Sequence, residues 1–240
     1  MELDLIVIGG GPAGVVAALR ARELGAEVAL VERGEMGGTC TNDGCVPTRV
    51  LAKAARLLRE SEHFDEYGLV GQPPVVDLPQ LLRRTHEVIS AVHEKKQLLA
   101  YLRRAGVTVY ARAGHARFVD AHTIEIAAGR RLEAEKFIIC AGGHARKLTF
   151  PGSEHALTHE DIWTLPSLPR SMAIVGGSAT GCQLGSIFDA FGVQVSVLER
   201  GGQILDKEDD LLSAVMADAL RRRGLHLSLI HISEPTRLRR

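Results

Sequence analysis

The 240-residue chain is long enough for one or two domains, and a composition of 45% hydrophobic and 24% charged residues excludes a disordered or fibrous protein. Twenty-nine basic residues balance 29 acidic ones, which leaves no electrostatic footprint for nucleic acid or an anionic membrane surface. The uncharged stretch at residues 5–19 carries glycines and a proline and is too short for a membrane span, while Glu2 and Asp4 stand where a secretory signal would be basic, so the chain reads as cytoplasmic.

Residues 7–34 read as a βαβ unit: an apolar β run, a glycine turn, a helix-compatible stretch, Gly25, and a second β run ending in Glu-Arg-Gly. Gly9, Gly11 and Gly14 form G-x-G-x-x-G between strand and helix, and Glu32 closes the second run. In a dinucleotide site the first glycine permits the tight turn, the second admits a pyrophosphate, the third allows close helix packing, and the acid accepts from a ribose hydroxyl. The helix N-terminus adds a positive field. A glycine turn without a nucleotide is the plainer alternative.

Two cysteines follow, Cys40 and Cys45, within GGTCTNDGCVPTR at residues 37–49. Helical apolar spacing at Val50, Leu51, Ala54, Leu57 and Leu58 places the pair near a helix start, where exposed N–H groups lower a thiol's pKa. Four cysteines are too few for a disulfide scaffold, and a zinc site lacks a second Cys or His pair of suitable spacing. Redox chemistry is favoured, with two unrelated buried thiols as the alternative. The spacing next predicts one long helix over residues 78–104, capped by Asp77 and ended by Gly106, its Arg and Lys residues forming a solvated face. Short alternating runs over residues 107–140 predict a small antiparallel meander, and Pro151, Pro166 and Pro169 punctuate the crossing to a second domain. His86, His93, His144 and His155 read as surface or packing residues, and Cys140 and Cys182 as small core residues.

Residues 174–201 then match residues 7–34 without a gap. Gly176 and Gly181 keep the outer glycine positions, Ser178 replaces the middle one, where its side chain would crowd a pyrophosphate, and Glu199 stands where Glu32 does. A ribose-binding acid here favours NADH over NADPH, although Arg200 lies beside it; a nucleotide-free structural repeat remains open.

A first fingerprint, the GGTC-x₄-GCVPTR segment and a second fingerprint together resemble the pyridine nucleotide-disulfide oxidoreductases, the flavoprotein family of dihydrolipoyl dehydrogenase, glutathione reductase and mercuric reductase. The resemblance implies an α/β fold of two Rossmann-like βαβ dinucleotide-binding units with an inserted long helix and a small antiparallel β meander. It implies FAD on Gly9, Gly11, Gly14, Glu32, Thr39, Arg49, Gly114, Ala141 and Gly142, the last two from the FIICAGG segment. Cys40 would exchange with substrate and Cys45 would face the flavin. NAD(P)H, with NADH favoured, would lie on Gly176, Ser178, Gly181, Gln183 and Glu199. The family has Lys at Arg49 and its partner Glu at Gln183, so an ion pair near the flavin is replaced by a cation facing a neutral amide. Ala179 stands at the aromatic gate of the nicotinamide pocket.

The implied organisation is a first FAD-binding segment with the cysteine pair at residues 1–150, the start of an NAD(P)-binding domain at 151–226, and a non-native tail at 227–240. Residues 227–237 match the in-frame translation of a transposon-end adaptor used in sequencing libraries, with an ordinary strand and basic tail as the alternative. The chain would then be about half of a family member, lacking the second flavin segment, the dimerisation domain and the His-Glu base. The implied activity is electron transfer from NADH through FAD to the Cys40–Cys45 disulfide and on to a dihydrolipoyl-type disulfide. The partner would be a small-molecule disulfide or a metal ion, in a homodimer, with no nucleic acid, membrane or resident metal. Metal-ion reduction of the mercuric reductase kind, and an inactive nucleotide-binding fragment, are the alternatives.

Overall fold

The computed structural model describes residues 3–146 and 148–229. The chain divides into two compact units, residues 1–49 with 83–164 and residues 50–82 with 165–240. In chain order the elements of the first half are β1 (Leu3–Ile8), α1 (Pro12–Glu23), β2 (Val28–Val31), α2 (Gly38–Asn42), α3 (Cys45–Ser61), α4 (Leu78–Lys96), α5 (Leu98–Arg104), β3 (Thr108–Tyr110), β4 (Arg117–Phe118), β5 (Thr123–Ile126) and β6 (Arg130–Ile139).

The first unit is built on a six-stranded sheet of order β3-β2-β1-β6-β5-β4. Alternation in β1 and β2 explains why both of its faces are covered. Leu5, Val7, Val28 and Leu30 pack on one side with Val15 and Ala18 of α1 and Leu102 of α5, while Ile6, Ala29 and Val31 pack on the other with Ile124, Ile126 and Leu132. Strand β6 serves two ladders. Its distal half, to Ile139, runs parallel to β1, and its first four residues pair antiparallel with β5.

The structure changes two expectations here. The first run of the expected meander, β3, pairs parallel with β2 and belongs to the main sheet, leaving β4, β5 and the start of β6 as the meander. The single helix over residues 78–104 is two helices. Gln97 between them is left-handed at φ 45° and ψ 39°, accepting from Tyr101 N–H and donating to the His93 carbonyl. The break lets α5 turn Leu102, fully buried, into the sheet's core while the last turn of α4 keeps a different face toward α2. Asp77 does cap α4, accepting from the Gln80 N–H at 2.9 Å, and Gly106 at φ 85° ends α5.

The second unit contains β7 (Ser171–Val175), α6 (Ala179–Ala190), β8 (Gln194–Glu199), α7 (Asp210–Arg222) and β9 (His226–Leu229), with a parallel sheet of order β7-β8-β9. Phe188 and Val197 are fully buried between α6 and the sheet. Arg59 of α3 donates to the Ser186 carbonyl and hydroxyl and approaches Asp189 at 3.7 Å. Residues 227–229 pair with β8 as the outer part of β9, and the remainder of the expected tail, 230–240, lies outside the described residues. Cys182 is buried, as expected of a small core thiol, with its sulfur 3.4 Å from the Gly177 carbonyl; Cys140 is half-buried against the first core. Among the described residues no helix is long and apolar enough to cross a membrane.

The closest packing in each unit is glycine on carbonyl. A Cβ at Gly14 would lie 1.8 Å from the Gly9 carbonyl oxygen, and one at Gly181 2.0 Å from that of Gly176. Gly14→Ala is therefore expected to cost about 2–3 kcal/mol in urea unfolding. Gly143→Ala, which meets nothing within 4 Å, should stay within about 0.5 kcal/mol of the parent.

Candidate functional site

The glycine turn after β1 is shaped by one carboxylate. Glu32, at the end of the second β run, accepts from the Gly10 N–H at 2.6 Å with one oxygen and from the Gly34 N–H at 2.8 Å with the other. Gly9, at φ 114°, lies directly under the turn that follows β6: its Cβ would sit 2.1 Å from the Cys140 carbonyl oxygen and 3.2 Å from Ala141 N. That contact brings Ala141 to the fingerprint, with Gly142 next in the turn at φ 71°. Gly11 is different, because its backbone is extended and a Cβ there would touch only Gly38 Cα at 3.7 Å. Its glycine leaves room at the N-terminus of α1, and room is what a pyrophosphate requires. These residues fit a dinucleotide.

The second unit repeats the device in detail. Gly176 is at φ 109°, Glu199 accepts from Gly177 N–H and Gly201 N–H at 2.7 Å each, and the Gly176 N–H donates to Leu198 at 2.8 Å just as Gly9 donates to Val31. Ser178 has φ −71° and ψ 176°, against −74° and −178° at Gly11, so the missing glycine changes the space above the turn and leaves the backbone as it was. Gln183 lies one turn into α6. Hydrogen bonds from Gly177 N–H hold the Glu199 carboxyl below the usual carboxylate range; burial opposes this, and the Gly201 N–H reinforces it.

The cysteine pair is carried on two short turns anchored to the first glycine loop. The Gly37 N–H donates to the Gly10 carbonyl at 2.9 Å, and Gly38, at φ 61°, presses on Gly11 so closely that a Cβ would come within 2.9 Å of Gly11 Cα. Cys40 lies in α2 and Cys45 opens α3. Between them the Thr39 carbonyl accepts from Asp43 N–H at 3.1 Å and Gly44 N–H at 2.6 Å. A Cβ at Gly44 would stand 2.9 Å from that carbonyl, so a larger residue would push the two turns apart. Both thiols are free; Cys40 is half-buried and Cys45 exposed.

The Cys40 thiol is pushed up, against the expectation that its position near a helix start would lower it. A hydrogen bond shared with Cys45 is the largest cause, followed by burial; the Lys96 and Arg49 cations pull the other way and do not prevail. Helix α2 is only five residues long, and the Cys40 sulfur faces its partner thiol. Arg49 thus reaches Cys40 by its field. Gly114, at φ 67°, sits beyond β3 with its N–H on the Arg33 carbonyl at 3.2 Å, next to Glu32.

Asn42, Thr41, Lys96, Trp163 and Asp43 escaped the sequence reading, and His93 reads there only as a surface or packing residue. The Asn42 side-chain amide donates to the Glu35 and Met36 carbonyls at 3.2 and 3.4 Å, which turns its carbonyl oxygen to His93 Nε2 at 2.8 Å. Thr41, buried to 1% exposure, accepts from Lys96 Nζ at 3.0 Å. His93 and Lys96 stand three apart on α4, the spacing that puts two side chains on one helix face, but nothing in the pattern ties that face to α2. On the other side Trp163 donates its indole N–H to the Asp43 carbonyl at 3.0 Å. Burial, and then the Glu160 charge, push the Asp43 carboxyl up, and its Oδ1 has no hydrogen-bond partner.

Comparison with known proteins places this arrangement. A sequence profile described as pyridine nucleotide-disulphide oxidoreductase matches residues 3–233. The chain is 36% identical over 230 residues to a dihydrolipoyl dehydrogenase of Zymomonas mobilis, covering 94% of this chain and 49% of the relative. It is 30% identical over 226 residues to a mercuric reductase of Lysinibacillus sphaericus, covering 93% and 41%. Among solved structures, the HOCl-induced flavoprotein disulfide reductase RclA of Escherichia coli superposes with a TM-score of 0.75 at 26% identity, over 95% of this chain and 49% of that one. The chain spans about half the length of these relatives.

The Glu199 brace gives a pH signature. Because the folded-state pKa of Glu199 is depressed, its stabilisation is present above the unfolded value of about 4.3 and is lost as pH falls through the folded value. Protection of the Gly177 and Gly201 amides, measured as exchange relative to the intrinsic rate at each pH, should fall across that acid window in the parent chain. In Glu199→Gln these amides should already exchange faster near pH 7, with the acid-dependent step removed.

Proposed function

The chain belongs to the pyridine nucleotide-disulphide oxidoreductase family, and from that premise we propose an FAD-dependent oxidoreductase in which electrons pass from NADH to the Cys40–Cys45 disulfide and on to a small disulfide of the dihydrolipoyl type. The carrying observation is the pair of free thiols itself, Cys40 in α2 and Cys45 opening α3, on turns that rest on the Gly9–Gly14 loop. FAD, when bound, supplies the two-electron relay between nicotinamide and disulfide. Gly9, Gly11, Gly14, Glu32, Thr39, Arg49, Gly114, Ala141 and Gly142 would hold it. Gly176, Ser178, Gly181, Gln183 and Glu199 would hold the pyridine nucleotide, and the Glu199 carboxylate, which would repel a 2′-phosphate, favours NADH.

In the exchange step the Cys40 thiolate attacks one sulfur of the substrate disulfide. The substrate S–S bond breaks, a mixed disulfide forms, and the first substrate thiolate leaves and takes up a proton. Cys45 then attacks the Cys40 sulfur, which closes the Cys40–Cys45 disulfide and releases the second substrate thiol. The pair has lost two electrons and the substrate has gained them; one NADH and one proton restore the dithiol. Cys45 is exposed and Cys40 half-buried, so the pair is open to a small substrate from solvent.

Reduction of a metal ion such as mercuric ion is the second reading, supported by the similarity to a mercuric reductase. Thiolate-rich exchange in a reducing compartment is consistent with a cytoplasmic homodimer.

The exchange roles can be tested on the reduced chain alone. Cys45→Ser mixed with a small aromatic disulfide should accumulate a mass adduct on the Cys40 peptide, because the resolving thiol is gone, and Cys40→Ser should release no second thiol equivalent by an intramolecular step. An adduct confined to Cys45 in the parent chain would reverse the two roles.

A further inference from the structure

Thr41 is a buried hydroxyl beside the exchanging cysteine, and its surroundings are tight. A Cβ on the neighbouring Gly37, which has φ 104°, would come within 3.0 Å of both Thr41 Cβ and Oγ1. A hydroxyl at 1% exposure needs a hydrogen-bond partner. That partner is the ammonium of Lys96, 3.0 Å away, donated from the last turn of α4. The same turn is pinned one helical step earlier by His93 on Asn42. The two bonds grip α2 at Thr41 and Asn42, the two residues that follow Cys40.

Lys96 belongs to none of the ion pairs formed among the described residues. A surface lysine would ordinarily rest in solvent or against a carboxylate. Here its stem stays exposed while its charge is turned toward Thr41, and the field of that charge reaches the Cys40 sulfur. The groups that act most on the Cys40 thiol are Cys45 and Arg49 from α3 and Lys96 from α4, and the Asp43 carboxyl, itself pushed up by burial, lies in the turn between the cysteines. Arg49 and Lys96 are both exposed, and Lys96 is the one of the two whose side chain is anchored by a hydrogen bond, on Thr41 next to Cys40.

We propose that Lys96 is a positioning residue of the redox centre, held by Thr41 so that its ammonium stabilises the Cys40 thiolate that attacks substrate. The inference rests on the reading of Cys40 as the exchanging thiol, and its test measures thiol ionisation rather than turnover. The helix that carries Lys96 also fixes the turn that carries Cys40, so the charge and the sulfur move together.

The test follows alkylation of Cys40 by iodoacetamide at the peptide level, in the reduced 240-residue chain carrying Cys45→Ser, from about pH 6 to pH 10. Lys96→Met should raise the midpoint by about half a unit to one unit and slow alkylation near neutral pH about three- to tenfold. Lys96→Arg should restore most of the rate. Thr41→Val, which keeps the volume and removes the anchor, should reproduce the Lys96→Met shift. Added salt should narrow the difference between parent and Lys96→Met, as a charge effect requires. Far-UV circular dichroism checks that each variant is folded. A Lys96→Met midpoint within about 0.2 units of the parent overturns the proposal. A shift in Lys96→Met with none in Thr41→Val overturns the anchoring role. A loss of rate that Lys96→Arg does not rescue, and that salt does not change, makes the residue structural and overturns the proposal as well.

Discussion

One carboxylate placed between two backbone N–H groups sets the shape on which the rest of this chain depends. Glu32 stands at the end of β2 and reaches across to Gly10 in the loop after β1, while its other oxygen holds Gly34. Hydrogen bonds to a charged acceptor are among the stronger ones available to a backbone amide. The brace joins the ends of two adjacent parallel strands and so fixes where the glycine loop stands above the sheet. From that loop, Gly10 accepts from Gly37 and Gly11 meets Gly38, so the cysteine turns inherit their position from it. Glu199 repeats the arrangement with Gly177 and Gly201. The acid in these fingerprints is therefore a structural strut as well as a candidate ribose acceptor, since each carboxylate oxygen has a second lone pair to offer.

Much of this was legible because it depends on local chemistry. Gly9 and Gly176 need left-handed backbone, Gly14 and Gly181 need the absence of a Cβ, and both demands leave glycine at fixed offsets from a strand end. The middle position carries no such demand, which is why Ser178 can replace Gly11 and only the room above the turn changes. What the pattern did not disclose is long-range. The break at Gln97 leaves no glycine or proline as a signal; it arises because Leu102 packs on the sheet while His93 and Lys96 hold α2. Likewise β3 alternates like any short strand, and its parallel partner β2 lies far back in the sequence. The grip of α4 on Thr41 and Asn42 crosses about fifty residues and has no periodicity to announce it.

The same distinction explains the cysteines. Proximity to a helix start suggests an acidified thiol, but α2 is a single short turn and the nearest strong influence on Cys40 is the other sulfur. Two thiols sharing a hydrogen bond cannot both ionise easily, because the second charge would form beside the first. The second ionisation of such a pair is held back, and positive charge nearby eases it. Burial adds to that resistance, and Lys96 and Arg49 work against it.

Asp43, between the two cysteines, would seem to defeat that balance by placing a carboxylate next to a sulfur that must become an anion. Its surroundings weaken the threat. Burial and the neighbouring Glu160 push the Asp43 carboxyl toward its neutral form, and its Oδ1 finds no donor that would favour the charge. The Asp43 main chain meanwhile has a separate duty, accepting from the Trp163 indole and donating to the Thr39 carbonyl, so the residue anchors the turn through its backbone. The redox turn thus combines a backbone fixed from both sides with a field whose positive contributors, Lys96 and Arg49, reach the exchanging sulfur.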